Sequence, residues 1–189
     1  SSLDKIEILK TPTSTPNLQF ISQKKKIFAI MITASHFAHN YNGFKFFLNG
    51  KKIDKKDELF IEKKLLNKIT YFPKNSISKI KYVNYNYYTS FINKHFTKSK
   101  KNNILIDCAN GGASGFINKI KIFKKIIIIN KNINKKINDK CGSNFLQNNY
   151  KKTQFQKFDF CIAFDGDADR LQISEKNYGL IEVEKIALI

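Results

Sequence analysis

Arginine is almost absent from this chain: position 170 holds one arginine, against 33 lysines. The formal net charge of +19 would favour a nucleic acid or another polyanion as the partner. However, the lysines are spread along the whole chain, and lysine lacks the planar group with which arginine binds phosphates and base edges. We therefore predict a solvated basic surface and no nucleic-acid partner, although an anionic small substrate would still benefit from the positive field.

The chain also lacks the cysteine spacing of a metal site and the apolar runs of a membrane protein. Its three cysteines, Cys108, Cys141 and Cys161, show no CxxC pattern, so neither a disulfide framework nor a thiolate zinc site is indicated. No run approaches the ~18 apolar residues of a membrane span, and residues 1–4 lack the apolar core of a signal peptide. These absences favour a protein of the reducing cytoplasm without a membrane partner.

An initiator methionine is missing too, and a helical pattern over 184–189 runs to the last residue. We therefore expect a piece of a longer protein. Its length suits one large domain or two small ones.

Short apolar runs alternate with helical patterns along the chain. Strands are predicted at 6–9, 27–32, 44–48, 104–107, 126–129 and 160–164. This alternation indicates an α/β fold with mostly parallel sheets, and a change in composition places a domain boundary near 70–78.

Local signals predict where the other elements lie. Thr15 and Pro16 are predicted as the N-cap and first residue of a helix that ends near Ser22. The run 27–32 is predicted as a buried strand, and Asn49-Gly50 as a turn. Further helices are predicted from apolar spacing at 58–68, across positions 80, 83, 87 and 91, at 116–123 and at 148–156.

Three carboxylates alternate with small residues directly after the strand predicted at 160–164. They are Asp165, Asp167 and Asp169, and Arg170 follows them. This places them at the carboxyl end of a strand, where open α/β sheets bind ligands. A small set of oxygen ligands favours Mg²⁺. An exposed acidic turn is the alternative explanation of this loop.

An EF-hand calcium loop is excluded for the same stretch. Such a loop needs glycine at its sixth position and a bidentate glutamate at its twelfth. Counted from Asp165, these positions hold Arg170 and Lys176.

A second polar cluster follows the apolar run 27–32. It contains Ser35 and His36, and Lys45 lies ten residues beyond the serine. No Gly-x-Ser-x-Gly pattern occurs, and a serine after a strand is often only a cap, so a hydrolase triad is not indicated. A phosphorylated serine would, however, need a metal to neutralise it and an acid or base for a hydroxyl, and the three aspartates and Lys45 offer both.

Both clusters resemble one family. The segments 32–36 (Ile-Thr-Ala-Ser-His) and 41–45 (Tyr-Asn-Gly-Phe-Lys) resemble the phosphoserine loop of the α-D-phosphohexomutases, and 165–170 (Asp-Gly-Asp-Ala-Asp-Arg) resembles their magnesium loop. The segments 137–138 and 141–143 are most similar to the bacterial phosphoglucosamine mutase branch. The resemblance implies two consecutive α/β/α domains with mixed, mostly parallel sheets, at 1–75 and 76–189.

The resemblance also implies roles for the site residues. Phosphorylated Ser35 would exchange its phosphoryl group with a phosphorylated hexose or hexosamine, and Mg²⁺ would be held by Ser35, Asp165, Asp167 and Asp169. Lys45 would be the general acid and base, Arg170 would bind phosphate, and His36 would order the serine loop.

The expected reaction interconverts glucosamine 6-phosphate and glucosamine 1-phosphate through a bisphosphate. A phosphomannomutase or phosphoglucomutase, and a truncated remnant that only binds metal and phosphosugar, are the alternatives. The family's Asn-Pro after Ser-His is replaced by Phe37-Ala38, and Glu182-Val183-Glu184 stands where the family has Asp-Gly-Asp. The family's N-terminal loop, sugar-recognition loop and C-terminal phosphate-binding domain have no counterpart in the 189 residues.

Overall fold

The computed structural model describes residues 5–67, 79–98, 103–149 and 155–182, which form ten strands and four α-helices. The strands are β1 (Ile6–Leu9), β2 (Phe28–Ile32), β3 (Phe44–Leu48), β4 (Lys51–Lys52), β5 (Ile80–Val83), β6 (Asn103–Asp107), β7 (Lys125–Ile129), β8 (Phe160–Phe164), β9 (Leu171–Glu175) and β10 (Gly179–Ile181). The helices are α1 (Thr15–Lys25), α2 (Lys55–Asn67), α3 (Tyr87–His95) and α4 (Leu146–Asn149). In the described residues no helix is long and apolar enough to cross a membrane.

The second half of the chain is built on a five-stranded sheet in the order β10-β9-β8-β6-β7. Strands β7, β6 and β8 are parallel, while β9 and β10 are antiparallel additions at one edge. Strand β6, which lies between β8 and β7, is apolar on both sides, with Ile104, Leu105 and Ile106 all buried. The predicted α/β class is confirmed, and the sheet is mixed, with two parallel and two antiparallel strand pairs.

The helix predicted at 116–123 is wrong. The chain forms two 3₁₀ turns instead, Gly112–Gly115 and Ile117–Lys119. A Cβ on Gly112 or Gly115 would lie 2.2 and 1.9 Å from the carbonyl oxygens of Thr13 and Pro12. The backbone therefore packs directly on the segment before α1. Of the helix predicted at 148–156, residues 148–149 are the end of α4, residues 155–156 lie in a turn, and residues 150–154 lie outside the described part of the chain.

The first half contains an antiparallel sheet in the order β2-β3-β4. In β2 only Ala29 is buried, whereas Phe28, Ile30 and Ile32 are 48 to 62 % exposed. The prediction of a fully buried strand is wrong. Helix α1 contacts this sheet. An apolar run in the sequence does not reveal whether one or both faces of a strand are covered. The exposed face continues onto β3, where Leu48 pairs with Phe28.

Helix α1 begins one residue earlier than predicted. Its N-cap is Ser14, whose Oγ accepts a hydrogen bond from Asn17 N at 3.2 Å. Thr15 is therefore the first helical residue, not the cap, and Pro16 follows within the first turn, where a missing N–H costs nothing. The helix ends at Lys25, beyond the predicted end at Ser22.

Residues 80–83 form a strand, contrary to the predicted helix, and the helix begins only at Tyr87. Strand β5 pairs in parallel with β1, with Ile6 opposite Ile80 and Leu9 opposite Val83. A stretch of four residues is too short for its apolar spacing to distinguish a helix from a strand, and the backbone pairing with β1 decides in favour of the strand. The predicted boundary at 75 lies outside the described residues, and the division into two domains stays a prediction.

A polar cluster ties β1 and α1 to the segment after β5. Glu7 Oε2 accepts hydrogen bonds from Lys25 Nζ at 2.5 Å and from Tyr85 Oη at 2.6 Å. Lys25 also donates to Tyr85 Oη. These bonds lower the pKa of Glu7 from its ordinary value of 4.5 to about 2, with Lys25 as the main cause.

We expect Glu7→Gln to lower the free energy of unfolding at pH 7 by about 1 kcal/mol, because it removes an ion pair and weakens two hydrogen bonds. Since the folded-state pKa of Glu7 is depressed, its contribution is present above pH 4.5 and is lost as the pH falls towards 2. Urea unfolding of both proteins between pH 7 and 2 measures the difference. Glu62→Gln, at an exposed site on α2, controls for net charge, and equal stability of Glu7→Gln and wild type at pH 7 would contradict the prediction.

Candidate active site

The three aspartates predicted as a cluster lie in a tight turn that joins β8 to β9. The turn is closed by hydrogen bonds from Asp165 N to Arg170 O at 3.2 Å and from Ala168 N to Asp165 O at 3.0 Å. Ala168 has a φ of 52°, in the left-handed region that non-glycine residues seldom adopt. Asp165 and Asp167 are buried with 1 and 0 % exposure, whereas Asp169 is exposed.

The turn after β6 supports this loop from the side. Gly112 N donates to Gly166 O at 2.8 Å. A Cβ on Gly111 would lie 2.2 Å from the same oxygen, so the two backbones approach more closely than any side chain would permit.

The serine loop follows β2 and leans on the aspartate loop. Ser35 N donates to Thr33 Oγ1 at 2.8 Å, and Ser35 has a φ of 54°. Asn138 Nδ2 donates to the carbonyl oxygens of Ser35 at 2.8 Å and Phe37 at 2.9 Å. The loop is thus held through backbone oxygens and not through the side chains of Phe37 and Ala38.

The two loops meet at the hydroxyl of Ser35. Ser35 Oγ donates to Asp165 Oδ2 at 3.0 Å, although the residues are 130 positions apart. Arg170 Nη2 donates both to Ser35 Oγ at 3.2 Å and to Asp165 Oδ2 at 3.0 Å. The arginine therefore spans the serine and its carboxylate partner.

Lys45 reaches the other two carboxylates from β3. Its Nζ lies 2.6 Å from Asp167 Oδ2 and 2.7 Å from Asp169 Oδ2. Burial lowers the pKa of Lys45, but the hydrogen bonds to Asp167 and Asp169 outweigh this effect and raise it. Lys45 is thus held in its charged form.

Thr15 also holds Asp167. Its Oγ1 donates to Asp167 Oδ2, and its backbone N donates to Asp167 O at 2.8 Å. Asp167 Oδ1 is buried and has no hydrogen-bond partner among the residues that the structure describes. A buried carboxylate oxygen without a donor is costly, and a bound cation would satisfy it.

The donor set fits a magnesium ion. One oxygen from each of Asp165, Asp167 and Asp169 lies within 4.8 Å of the others. Only carboxylate oxygens are offered, as Mg²⁺ prefers, and the few protein ligands leave positions for water and a phosphate. These three residues would hold the ion, which would neutralise negative charge on a phosphoryl group.

The structure brings together six of the seven residues that the sequence singled out: Ser35, Lys45, Asp165, Asp167, Asp169 and Arg170. The imidazole of His36 does not join them. Its ring packs on Phe37 with centroids 4.5 Å apart, and its Nδ1 is buried without a partner in the described part of the chain. The roles of all seven residues remain predictions.

Sequence reasoning missed the residues that position this group. The sequence indicates Thr15 only as a helix cap and Asn138 only as part of a resembling segment. Asn144, whose Nδ2 donates to His36 O at 3.1 Å, carries no signal in the sequence. The position of Thr15 beside Pro16 is a local signal, but it indicates the start of a helix and not a contact with Asp167.

Comparison with known proteins identifies similar sequences. Residues 3–71 match the family model described as phosphoglucomutase/phosphomannomutase, alpha/beta/alpha domain I. The phosphoglucosamine mutase of Caldicellulosiruptor saccharolyticus is 34 % identical over 173 residues, which cover 85 % of this chain and 38 % of that protein. The chain therefore spans about two fifths of the length of this relative.

Solved structures show the same fold. The putative phosphomannomutase of Thermus thermophilus superposes with a TM-score of 0.72 at 19 % identity, covering 96 % of this chain and 44 % of that one. The N-acetylphosphoglucosamine mutase of Aspergillus fumigatus, solved with GlcNAc-6P and magnesium, gives a TM-score of 0.56 at 16 % identity. The superposition covers 88 % of this chain and 47 % of the Aspergillus chain.

We expect Gly166→Ala to separate the two loops, because its Cβ would lie 2.5 Å from Ser35 O and 2.9 Å from Ile137 Cγ2. The free energy of unfolding should fall by about 1–3 kcal/mol, as for other overpacked sites. Hydrogen exchange should become faster at residues 33–37 than in wild type, while the amides of the β1–β5 pair serve as an internal reference. Unchanged exchange at 33–37 would show that the loops do not depend on this contact.

Proposed function

We propose that this chain, which belongs to the phosphohexomutase family, contains the phosphoryl-transfer site of an enzyme that interconverts glucosamine 6-phosphate and glucosamine 1-phosphate. One observation carries the proposal. Ser35 Oγ contacts Asp165 in a loop 130 positions away, and Lys45 contacts the other two carboxylates of that loop. Phosphoryl transfer through a phosphoserine requires a serine, an acid or base and a group of metal ligands in one place. Here these are a hydroxyl, an ammonium group and a carboxylate cluster.

Ser35 is the nucleophile in the half-reaction that loads the enzyme. Its Oγ attacks the phosphorus of a hexose bisphosphate, the bond from phosphorus to the sugar oxygen breaks, and the serine proton passes to Asp165 Oδ2. Lys45 supplies the proton of its ammonium group to the departing sugar oxygen. In the reverse half-reaction the sugar hydroxyl attacks the phosphoserine, and these two protons return.

The remaining charged groups stabilise the phosphoryl group. Magnesium held by Asp165, Asp167, Asp169 and the phosphate on Ser35 would neutralise its negative charge. Arg170 lies with one nitrogen 3.2 Å from Ser35 Oγ, and its planar group suits a phosphate at that position. His36 contributes its carbonyl oxygen, through which Asn144 holds the serine loop.

One observation supports the choice of sugar. The relative described above is a phosphoglucosamine mutase. The charge of +19 favours an anionic substrate. Mannose and glucose phosphates are the alternative substrates.

Incubation with glucose 1,6-bisphosphate and Mg²⁺ should place one phosphoryl group on Ser35, measured by peptide mass spectrometry. Ser35→Ala should remove the label, whereas Ser90→Ala, at an exposed serine on α3, should retain it. Phosphate at another residue, or a label unaffected by Ser35→Ala, would contradict the assignment.

Asp167→Asn should weaken Mg²⁺ binding at least about tenfold, because it removes the charge of the most buried ligand. Titration calorimetry with Mg²⁺ measures the affinity. Asp139→Asn is the matched control, since it removes one exposed carboxylate from the loop that contains Asn138. Equal affinity in both variants would exclude the aspartate loop as the metal site.

A further inference from the structure

We propose that Lys45 is an internal counter-ion that a divalent cation must displace, so that metal binding itself releases the ammonium group towards the substrate. The inference rests on the proposed function, because it takes Asp165, Asp167 and Asp169 as the metal site. It adds an order of events: the acid and base of the reaction becomes free only when the metal is in place.

The contacts of Lys45 are the first support. Its Nζ lies within 2.7 Å of two of the three candidate ligands, Asp167 and Asp169. It donates one hydrogen bond to Oδ2 of each carboxylate. Asp167 Oδ2 also accepts a hydrogen bond from Thr15, so this oxygen has two donors already. A cation that uses the same carboxylates has to compete with the ammonium group.

The charge of the cluster is the second support. Three carboxylates face two cations, since Arg170 pairs with Asp165 while Lys45 pairs with the other two. The resting network is thus close to neutral without a metal. A divalent ion added beside a fixed ammonium group would be repelled at short range, and this repulsion ends if the lysine leaves.

The third support is that Lys45 can leave without a change in the fold. Its backbone is fixed in β3 opposite Met31, but its side chain is partly exposed and has four rotatable bonds. Thr15 remains on Asp167 Oδ2, and Asp167 Oδ1 has no partner in the described residues, so the carboxylate keeps its position and has an oxygen to offer. Exchange of one cation for another therefore needs only a side-chain rotation.

Mn²⁺ binding, followed by electron paramagnetic resonance of the free ion, tests the proposal in the absence of substrate. Lys45→Met keeps most of the aliphatic stem and removes the charge, so Mn²⁺ should bind about tenfold or more tightly than to wild type. Lys45→Arg retains a cation and should bind close to wild type. Lys51→Met, at an exposed position of β4 in the same sheet, removes the same charge and should leave the affinity unchanged.

Unchanged or weaker Mn²⁺ binding to Lys45→Met would overturn the displacement, provided that wild type binds the ion and Asp167→Asn binds it more weakly. No binding to wild type and Lys45→Met alike, or an affinity that Asp167→Asn leaves unchanged, would instead overturn the metal site and with it the proposed function. A second measurement uses the wild type alone. Labelling of Lys45 by an amine-acetylating reagent, relative to Lys51 in the same sample, should rise on addition of Mn²⁺, and a constant ratio would contradict release of the lysine.

Discussion

The buried carboxylate of Asp167 is the group on which the arrangement of the site depends. It has no exposed surface, and a charge in that position is strongly destabilising unless it is paired. Its partners are Thr15 at the start of α1 and Lys45 on β3, which lie 152 and 122 positions away along the chain. The need to compensate one buried charge therefore brings a helix, a strand and the aspartate loop to the same point.

The close approach of backbone segments allows these elements to lie together. Gly111 lets the turn after β6 lie directly against Gly166, whose carbonyl oxygen accepts a hydrogen bond from Gly112 N, and Gly166 in turn lies against the carbonyl of Ser35. Side-chain amides complete the support, since Asn138 holds the serine loop through two carbonyl oxygens. The functional groups are therefore positioned largely by backbone contacts and by residues that have no part in the proposed chemistry.

Most of the strands could be predicted because short apolar runs bounded by polar turns have few alternatives to a strand, as at 44–48, 104–107 and 160–164. The errors have a common cause, which is that a local pattern does not show the contacts an element makes with distant parts of the chain. The run at β2 does not show that one of its faces is left exposed, and residues 80–83 fit a helix until β1 pairs with them. The 3₁₀ turns after Gly111 replace a predicted helix because their backbone packs on Pro12 and Thr13, which no local pattern indicates.

The sequence by itself determined the α/β class, the two polar loops at the ends of β2 and β8, and the identity of the groups in them. These features follow from residue type and short-range spacing. Tertiary structure alone decided that Ser35 contacts Asp165, that Lys45 pairs with Asp167 and Asp169, that Thr15 supports the aspartate loop and that the His36 ring does not join the site. Such contacts depend on distances between residues more than a hundred positions apart, and those distances are set by the packing of the whole chain.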